Sequence, residues 1–224
     1  MDEERLDVGG AVSYGWRTMV DNILFFVIIG LIFFIVTAIF YVPAGFAYKY
    51  PYITAIVYIL GFLVSVYVHM AMVNISLIVS RGEKPTYSDL FSATKYYWKF
   101  LLADILYSLL VLAGMILCII PGIYWGVRYH FNAYFIIDQD MSPIDAIRRS
   151  GQITKGAWWD VFLLFVLSWL IMLAGIILCG VGTLFAYPIV FMAIVFAYRQ
   201  LQETASPVVT PAEAGPPAET PPIA

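Results

Sequence analysis

Charge is scarce in this sequence. Asp, Glu, Lys and Arg make up 12% of its 224 residues, while 62% are hydrophobic; an ordinary soluble domain is about 25% charged and about 45–50% apolar. That balance, with a mean hydropathy of +0.87, excludes a soluble globular domain and points to a polytopic membrane protein. The two cysteines, Cys118 and Cys179, are too few for a disulfide framework and lack metal-ligand spacing. Small apolar packing near the outer ends of their helices is the reading preferred for them. The two histidines, His69 and His130, lie far apart without a third ligand, so they read as hydrogen-bonded interhelical side chains and no metal is expected. No GxSxG, HExxH, CxxC or phosphate-loop pattern occurs, so the chain is expected to be no enzyme, with no catalytic residues and no cofactor. No basic stripe interleaved with aromatics is present, which excludes nucleic acid as a partner. The start, MDEERLDVGG, has no basic n-region ahead of a cleavage site, so the first span is expected to act as an uncleaved signal anchor.

Long apolar runs are what the sequence has in their place. A membrane helix needs about 20 apolar residues. Residues 22–42 and 52–80 each supply one. The tract 100–137 would be about 57 Å long as a single helix, roughly twice the hydrocarbon thickness, so it must turn. Pro121-Gly122 is the natural place, because proline suits the first turn of a new helix and disfavours helix before it. The tract 158–198 turns likewise at Gly180–Thr183. The expectation is an all-α bundle of six transmembrane helices over 1–201, followed by a disordered Pro-rich cytoplasmic tail at 202–224. With the N-terminus inside, ten of the twelve Lys and Arg residues fall on the cytoplasmic side, only Lys49 falls outside, and Arg128 falls within a span. That asymmetry predicts a bacterial inner-membrane protein with both termini cytoplasmic.

An internal repeat refines this picture. Residues 98–118 (WKFLLADILYSLLVLAGMILC) and 159–179 (WDVFLLFVLSWLIMLAGIILC) align without a gap, sharing a Trp, a Gly and a Cys at one offset. TYSD (86–89) and SPID (142–145) precede the copies and read as capping boxes. Val12, Trp16 and Val20 recur at helical spacing before the first span. The chain is therefore expected to consist of repeated two-span units, each preceded by a cytoplasmic interfacial helix. DQDMSPID (138–145) lacks the glycine and late glutamate of a calcium loop, so its carboxylates read as loop and cap groups. GIYWG (122–126) offers small residues for close helix approach.

Within the spans, Arg128 is the residue to explain, since an arginine near mid-bilayer costs about 2.5–3.5 kcal/mol on insertion scales. Pairing with Asp104, a water-filled cavity and snorkelling to the outer face each answer that cost. Arg128, Asp104, Asn132, His69 and Asn74 form the candidate intramembrane polar site. Polar contacts between helices are the preferred reading of it, and an anion or lipid-headgroup site, as in a small transporter or channel, the alternative. Arg148, Arg149 and Lys155 are candidate contacts to anionic lipid. Membrane lipid is the expected partner, with a second copy of the chain or another protein as a further candidate.

The stretches LCIIPGIYWGVRYHFNAYFIID, SPIDAIRRSGQITKG and YPIVFMAIVFAYRQL resemble a group of bacterial integral membrane proteins, similar to the membrane region that precedes the catalytic domain of some glycerophosphodiester phosphodiesterases. Pro121, Gly122, Arg128, Ala146, Ser150, Lys155 and Gly156 carry the resemblance. It implies a multi-pass membrane bundle with a structural, scaffolding or membrane-homeostasis role. After Arg199 only the tail follows, so phosphodiesterase activity is not expected.

Overall fold

A computed structural model describes residues 6–46, 50–178 and 182–205, with backbone alone at 43–46. The regular structure of the described residues is entirely helical, with no strand among them. In chain order the helices are α1 (Val8–Asp21), α2 (Ile23–Phe46), α3 (Pro51–Ser80), α4 (Asp89–Ser92), α5 (Tyr97–Leu117), α6 (Ile119–Arg128), α7 (Asn132–Gln139), α8 (Pro143–Ile153), α9 (Trp158–Ile177) and α10 (Gly182–Ala205), with a 3₁₀ turn at Thr94–Tyr96 before α5.

Local chemistry sets most boundaries. Asp7 caps α1 by accepting from the Gly10 N–H at 2.7 Å. Asn22 separates α1 from α2, and its side-chain amide donates back to the Thr18 carbonyl at 3.1 Å, a local bond that competes with helix continuation. Ser142 caps α8, accepting from the Asp145 N–H and donating to its carboxylate, with Pro143 in the first turn. This is the capping pattern expected for SPID. TYSD behaves differently. Asp89 accepts from the Thr86 N–H and hydroxyl, but the helix that follows is a single turn, so the interfacial helix expected there is reduced to α4 and the 3₁₀ turn. Gly156, at φ +91°, makes the left-handed step from α8 into α9 that other residues disfavour.

Helices spanning Ile23–Val42, Pro51–Ser80, Asp89–Leu117, Trp158–Ile177 and Gly182–Ala205 are long and apolar enough to cross a membrane. The fourth of the six expected spans is not a continuous helix. Cys118, extended at φ −172° and ψ 154°, breaks the chain three residues before Pro121, which then lies in the first turn of α6. The expected hairpin is present, displaced to Cys118. Chain 129–131 then interrupts the helix again, leaving α6 about 15 Å and α7 about 12 Å long, each well short of the roughly 30 Å hydrocarbon core.

Small residues bring the helices together as the repeat implies. A Cβ on Gly114 of α5 would sit 2.8 Å from Gly122 Cα, and one on Gly175 of α9 would sit 2.9 Å from the Gly182 carbonyl carbon. Gly114 and Gly175 are equivalent positions of the aligned segments, so each outgoing helix meets a glycine of the returning one. The Gly122 contact is within the chain. Gly126 is less crowded: a Cβ there would meet the Tyr107 hydroxyl and Val111 at 3.9 Å, an ordinary contact.

The core lies where α3, α7 and α10 converge. Met70–Leu77, Phe131–Ile137 and most of Ala186–Leu201 are buried. α1 lies against α10 rather than apart as an interfacial helix, and a Cβ on Gly15 would come 2.4 Å from the Ile189 carbonyl. α2, the first half of α3, and much of α5 and α9 present exposed Ile, Leu, Phe and Trp side chains, the exterior a bilayer would cover. α10 continues to Ala205, past the boundary expected at 201; residues 206–224, which hold most of the expected tail, lie outside the described residues. So do Arg5, Lys49 and Cys179.

Candidate functional site

An interrupted helix in an apolar surrounding exposes carbonyl groups that have no helical partner, and each costs several kcal/mol if left unpaired. At the end of α6 side chains from three other helices take them up. The Trp158 Nε1–H of α9 donates to the Tyr124 carbonyl at 3.3 Å, and the Tyr107 hydroxyl of α5 donates to the Gly126 carbonyl at 2.8 Å. The hydroxyls of Ser150 in α8 and of Thr154, which caps its end, donate to the Arg128 carbonyl at 3.1 and 3.2 Å. On the far side of the break, Ser150 Oγ accepts from the Phe131 N–H at 3.0 Å and the Asn132 side chain donates to the Tyr129 carbonyl at 2.8 Å. Gly151 leaves room for Tyr129: a Cβ there would meet its ring at 2.8 Å. The resemblance singled out Ser150; its role here is to splice a broken helix.

Arg128 ends α6 at this break. Its Nη1 donates to the Tyr124 hydroxyl at 2.6 Å, and its guanidinium lies over the rings of Tyr124 and Tyr129, 5.6 and 5.8 Å from their centroids. Among the described residues it makes no ion pair, so pairing with Asp104 is not formed. Its Nε is buried without an acceptor. Nor does it sit opposite the middle of a span. Tyr124 stacks on Trp158, the first residue of α9, so Arg128 is level with the start of a candidate span, beside the α8–α9 junction. Arg148 and Lys155 are exposed there, and Arg149 bonds only to Gln152 of its own helix. Arg148 faces Asp145 at 4.0 Å, with both side chains more than half exposed.

The other expected site residues disperse. Asn74 donates to the Asp89 carbonyl and to Ser92, tying α4 to α3. Asn132 caps the helix break. His69 and Asp104 lie within electrostatic reach of one another, and Asp104 of Tyr107. The interhelical hydrogen bonds expected of the histidines are not made among the described residues. His69 packs edge-on against Phe100 and Phe191, and His130 against Phe165 with centroids 4.5 Å apart. Cys118 is free and exposed rather than packed. No cluster of metal-ligating side chains occurs among the described residues.

One cluster escaped the sequence reading. Asp138, treated there as a loop carboxylate, ends α7 with its side chain only 8% exposed. Arg81 reaches it at 2.6 Å, Arg199 forms a two-pronged contact at 3.2 Å on each oxygen, and the Tyr198 hydroxyl donates to it at 3.1 Å. Arg199 Nε also donates to Ser80. The ends of α3 and α7 are thereby locked to α10, and the nearby Lys99–Asp140 pair, at 2.6 Å, ties in the start of α5. The signal available in sequence was position: Asp138 directly follows seven residues that are all buried.

Fold and exterior together define a membrane protein. Its similarity is to uncharacterised bacterial proteins: one of Mycobacterium bovis and one of Mycobacterium tuberculosis are each 30% identical to it over 173 residues, covering 74% of this chain and 50% of the relative. The chain thus spans about half the length of the curated relatives it matches. No family model and no solved structure matches it.

Proposed function

We propose that this chain is a non-enzymatic, multi-pass protein of the bacterial cytoplasmic membrane with a structural or membrane-homeostasis role, exercised by holding anionic lipid headgroups at Arg128. The observation that carries this reading is the guanidinium itself. It is partly buried, has no carboxylate among the described residues, and keeps an Nε without an acceptor. A cation so placed is stabilised by a phosphate. Exposed Lys155 and Arg148 on the adjoining helix add to the local positive potential, each basic residue near an anionic surface contributing about 1 kcal/mol. Indole rings favour the headgroup level, and Trp159 beside this junction is 68% exposed.

Orientation with both termini in the cytoplasm follows from the Lys/Arg asymmetry. It is supported by the meeting of Arg81, Lys99, Asp138 and Arg199 at one end of the bundle. The resemblance to the membrane region of glycerophosphodiester phosphodiesterases supports the multi-pass membrane part of this reading.

Native mass spectrometry of the purified protein with equimolar phosphatidylglycerol and phosphatidylcholine tests the reading. Wild type should retain phosphatidylglycerol preferentially, and Arg128→Gln should lose most of that preference while melting unchanged. Equal retention of both lipids by wild type would overturn it.

A further inference from the structure

A second candidate site does not include Arg128 in its walls. A crevice of about 880 Å³ opens between α6, α9 and α10, with His69 of α3 at its wall, a volume within the roughly 300–1,000 Å³ typical of small-molecule pockets. Its walls are almost entirely aliphatic and aromatic, and no Asp, Glu, Lys or Arg lines it. Besides the Tyr134 hydroxyl, which is engaged with Ser76, and the indole of Trp169, the lining is interrupted by the polar groups of Ser168, His69 and His130. Ser168 is 5% exposed and its Oγ is buried with no hydrogen-bond partner. This is unusual for a serine inside a helix, which ordinarily donates to a carbonyl one turn back, as Ser76 does to Val73 and Ser80 to Leu77 in α3. His130 and His69 pack their rings on aromatic neighbours and make no hydrogen bond among the described residues, although an imidazole carries at least one N–H to donate.

We propose that this crevice binds a membrane-soluble amphiphile with a neutral carbonyl head and a long apolar tail, the carbonyl accepting from Ser168 with His130 beside it. Three observations select that class. Ser168 and both imidazoles each carry a hydrogen to donate, and a carbonyl accepts it without adding a donor of its own that would need pairing in an apolar wall. The wall offers no cation, and Asp104 lies within reach of His69, so a charged anionic head would be desolvated without compensation. The outer lip includes Trp169, which is 65% exposed on the apolar exterior, so the ligand enters from the bilayer and not from water. A carbonyl on an apolar tail describes both an isoprenoid quinone and the ester of a neutral glycerolipid.

The test uses the full chain in dodecyl maltoside micelles, titrated separately with decylubiquinone, dioleoylglycerol and, as the charged control, oleate at pH 8. Tryptophan fluorescence and melting temperature report binding. At least one neutral probe should bind saturably, Ser168→Ala should weaken it about tenfold, and Ser168→Thr, which keeps the hydroxyl, should restore most of the loss. Binding of decylubiquinone alone assigns a quinone, dioleoylglycerol alone a glycerolipid, and both the shared carbonyl. Saturation by neither neutral probe, oleate binding as tightly as they do, or Ser168→Ala binding like wild type in a protein of unchanged melting would each overturn the proposal.

Discussion

Ser150 is hydrogen-bonded to Arg128 across 22 residues of sequence, its hydroxyl donating to the arginine carbonyl at 3.1 Å while accepting from the Phe131 N–H at 3.0 Å. One side chain therefore satisfies both edges of the gap between α6 and α7. Ser150 is fully buried, so water cannot take its place. Ser150→Ala should destabilise the protein by about 1–3 kcal/mol, the cost of leaving buried polar groups unpaired. Thr154→Val should cost less, because Ser150 still serves the same carbonyl. Melting of the two variants in detergent checks the order; Ser150→Ala melting like wild type would mean that the break holds without the splice.

The Asp138 cluster gives a ranking of a different kind. Removing one member of a buried charge group leaves the others uncompensated, at about 3–5 kcal/mol, whereas exposed ion pairs are worth about 0–1 kcal/mol. The Asp138 side chain is 8% exposed, Arg199 29% and Arg81 46%. Asp138→Asn should therefore be the most damaging, Arg199→Gln intermediate and Arg81→Gln the mildest. Denaturant or thermal unfolding of the three single variants measures this, and an Arg81 variant as unstable as the Asp138 variant contradicts it.

How far the sequence reveals this molecule differs from one turn to the next. The reversal near Pro121 is legible because proline and glycine act locally, and the α8 cap because Ser142 and Asp145 lie three residues apart. The break at Tyr129-His130-Phe131 is not, since nothing there forbids helix. It exists because Ser150, Thr154, Trp158 and Tyr107, distant in sequence, supply the donors that a continuous helix would not need. Asp138 was misread for a related reason. Beside Gln139 and Asp140 it looks like loop, and only the approach of Arg81 and Arg199, 57 and 61 residues away, makes it a core ion. Arg128 stands out in the sequence by its charge within an apolar tract, but Asp104 enters as one candidate partner by counting residues along an unbroken helix; the break moves the arginine's surroundings to α8 and α9.

Asp140 supplies the pH dependence. Its carboxyl is held below the usual carboxylate range, first by the hydrogen bond from Lys99 and then by the attraction of Lys99 and Lys95. Because the folded-state value is lowered, the pair's contribution is complete above the unfolded value of about 3.9 and is lost as pH falls through the lower folded-state value. NMR titration of selectively labelled aspartate should show Asp140 ionising at lower pH than a free carboxyl, and Lys99→Met should move it back up. No movement in Lys99→Met would detach the shift from the pair.

Arg128 and Asp104 provide the last comparison. Had they been paired, Arg128→Leu would strand a carboxylate in an apolar surrounding, and Asp104→Asn would rescue it. The guanidinium bonds to Tyr124, while the titratable neighbour of Asp104 is His69. The two substitutions act on separate neighbourhoods and should add within about 0.3–0.5 kcal/mol. Arg128→Leu removes a cation that has an unpaired Nε and leaves the α6 backbone carbonyls to accept from Tyr107, Ser150, Thr154 and Trp158 as before. It should therefore fold and melt close to wild type, while losing the preference for phosphatidylglycerol. Melting curves of both single variants and the double variant decide the matter. Rescue of Arg128→Leu by Asp104→Asn would restore the ion pair that the geometry rejects, whereas additive melting with lost lipid preference places the arginine's role outside the fold.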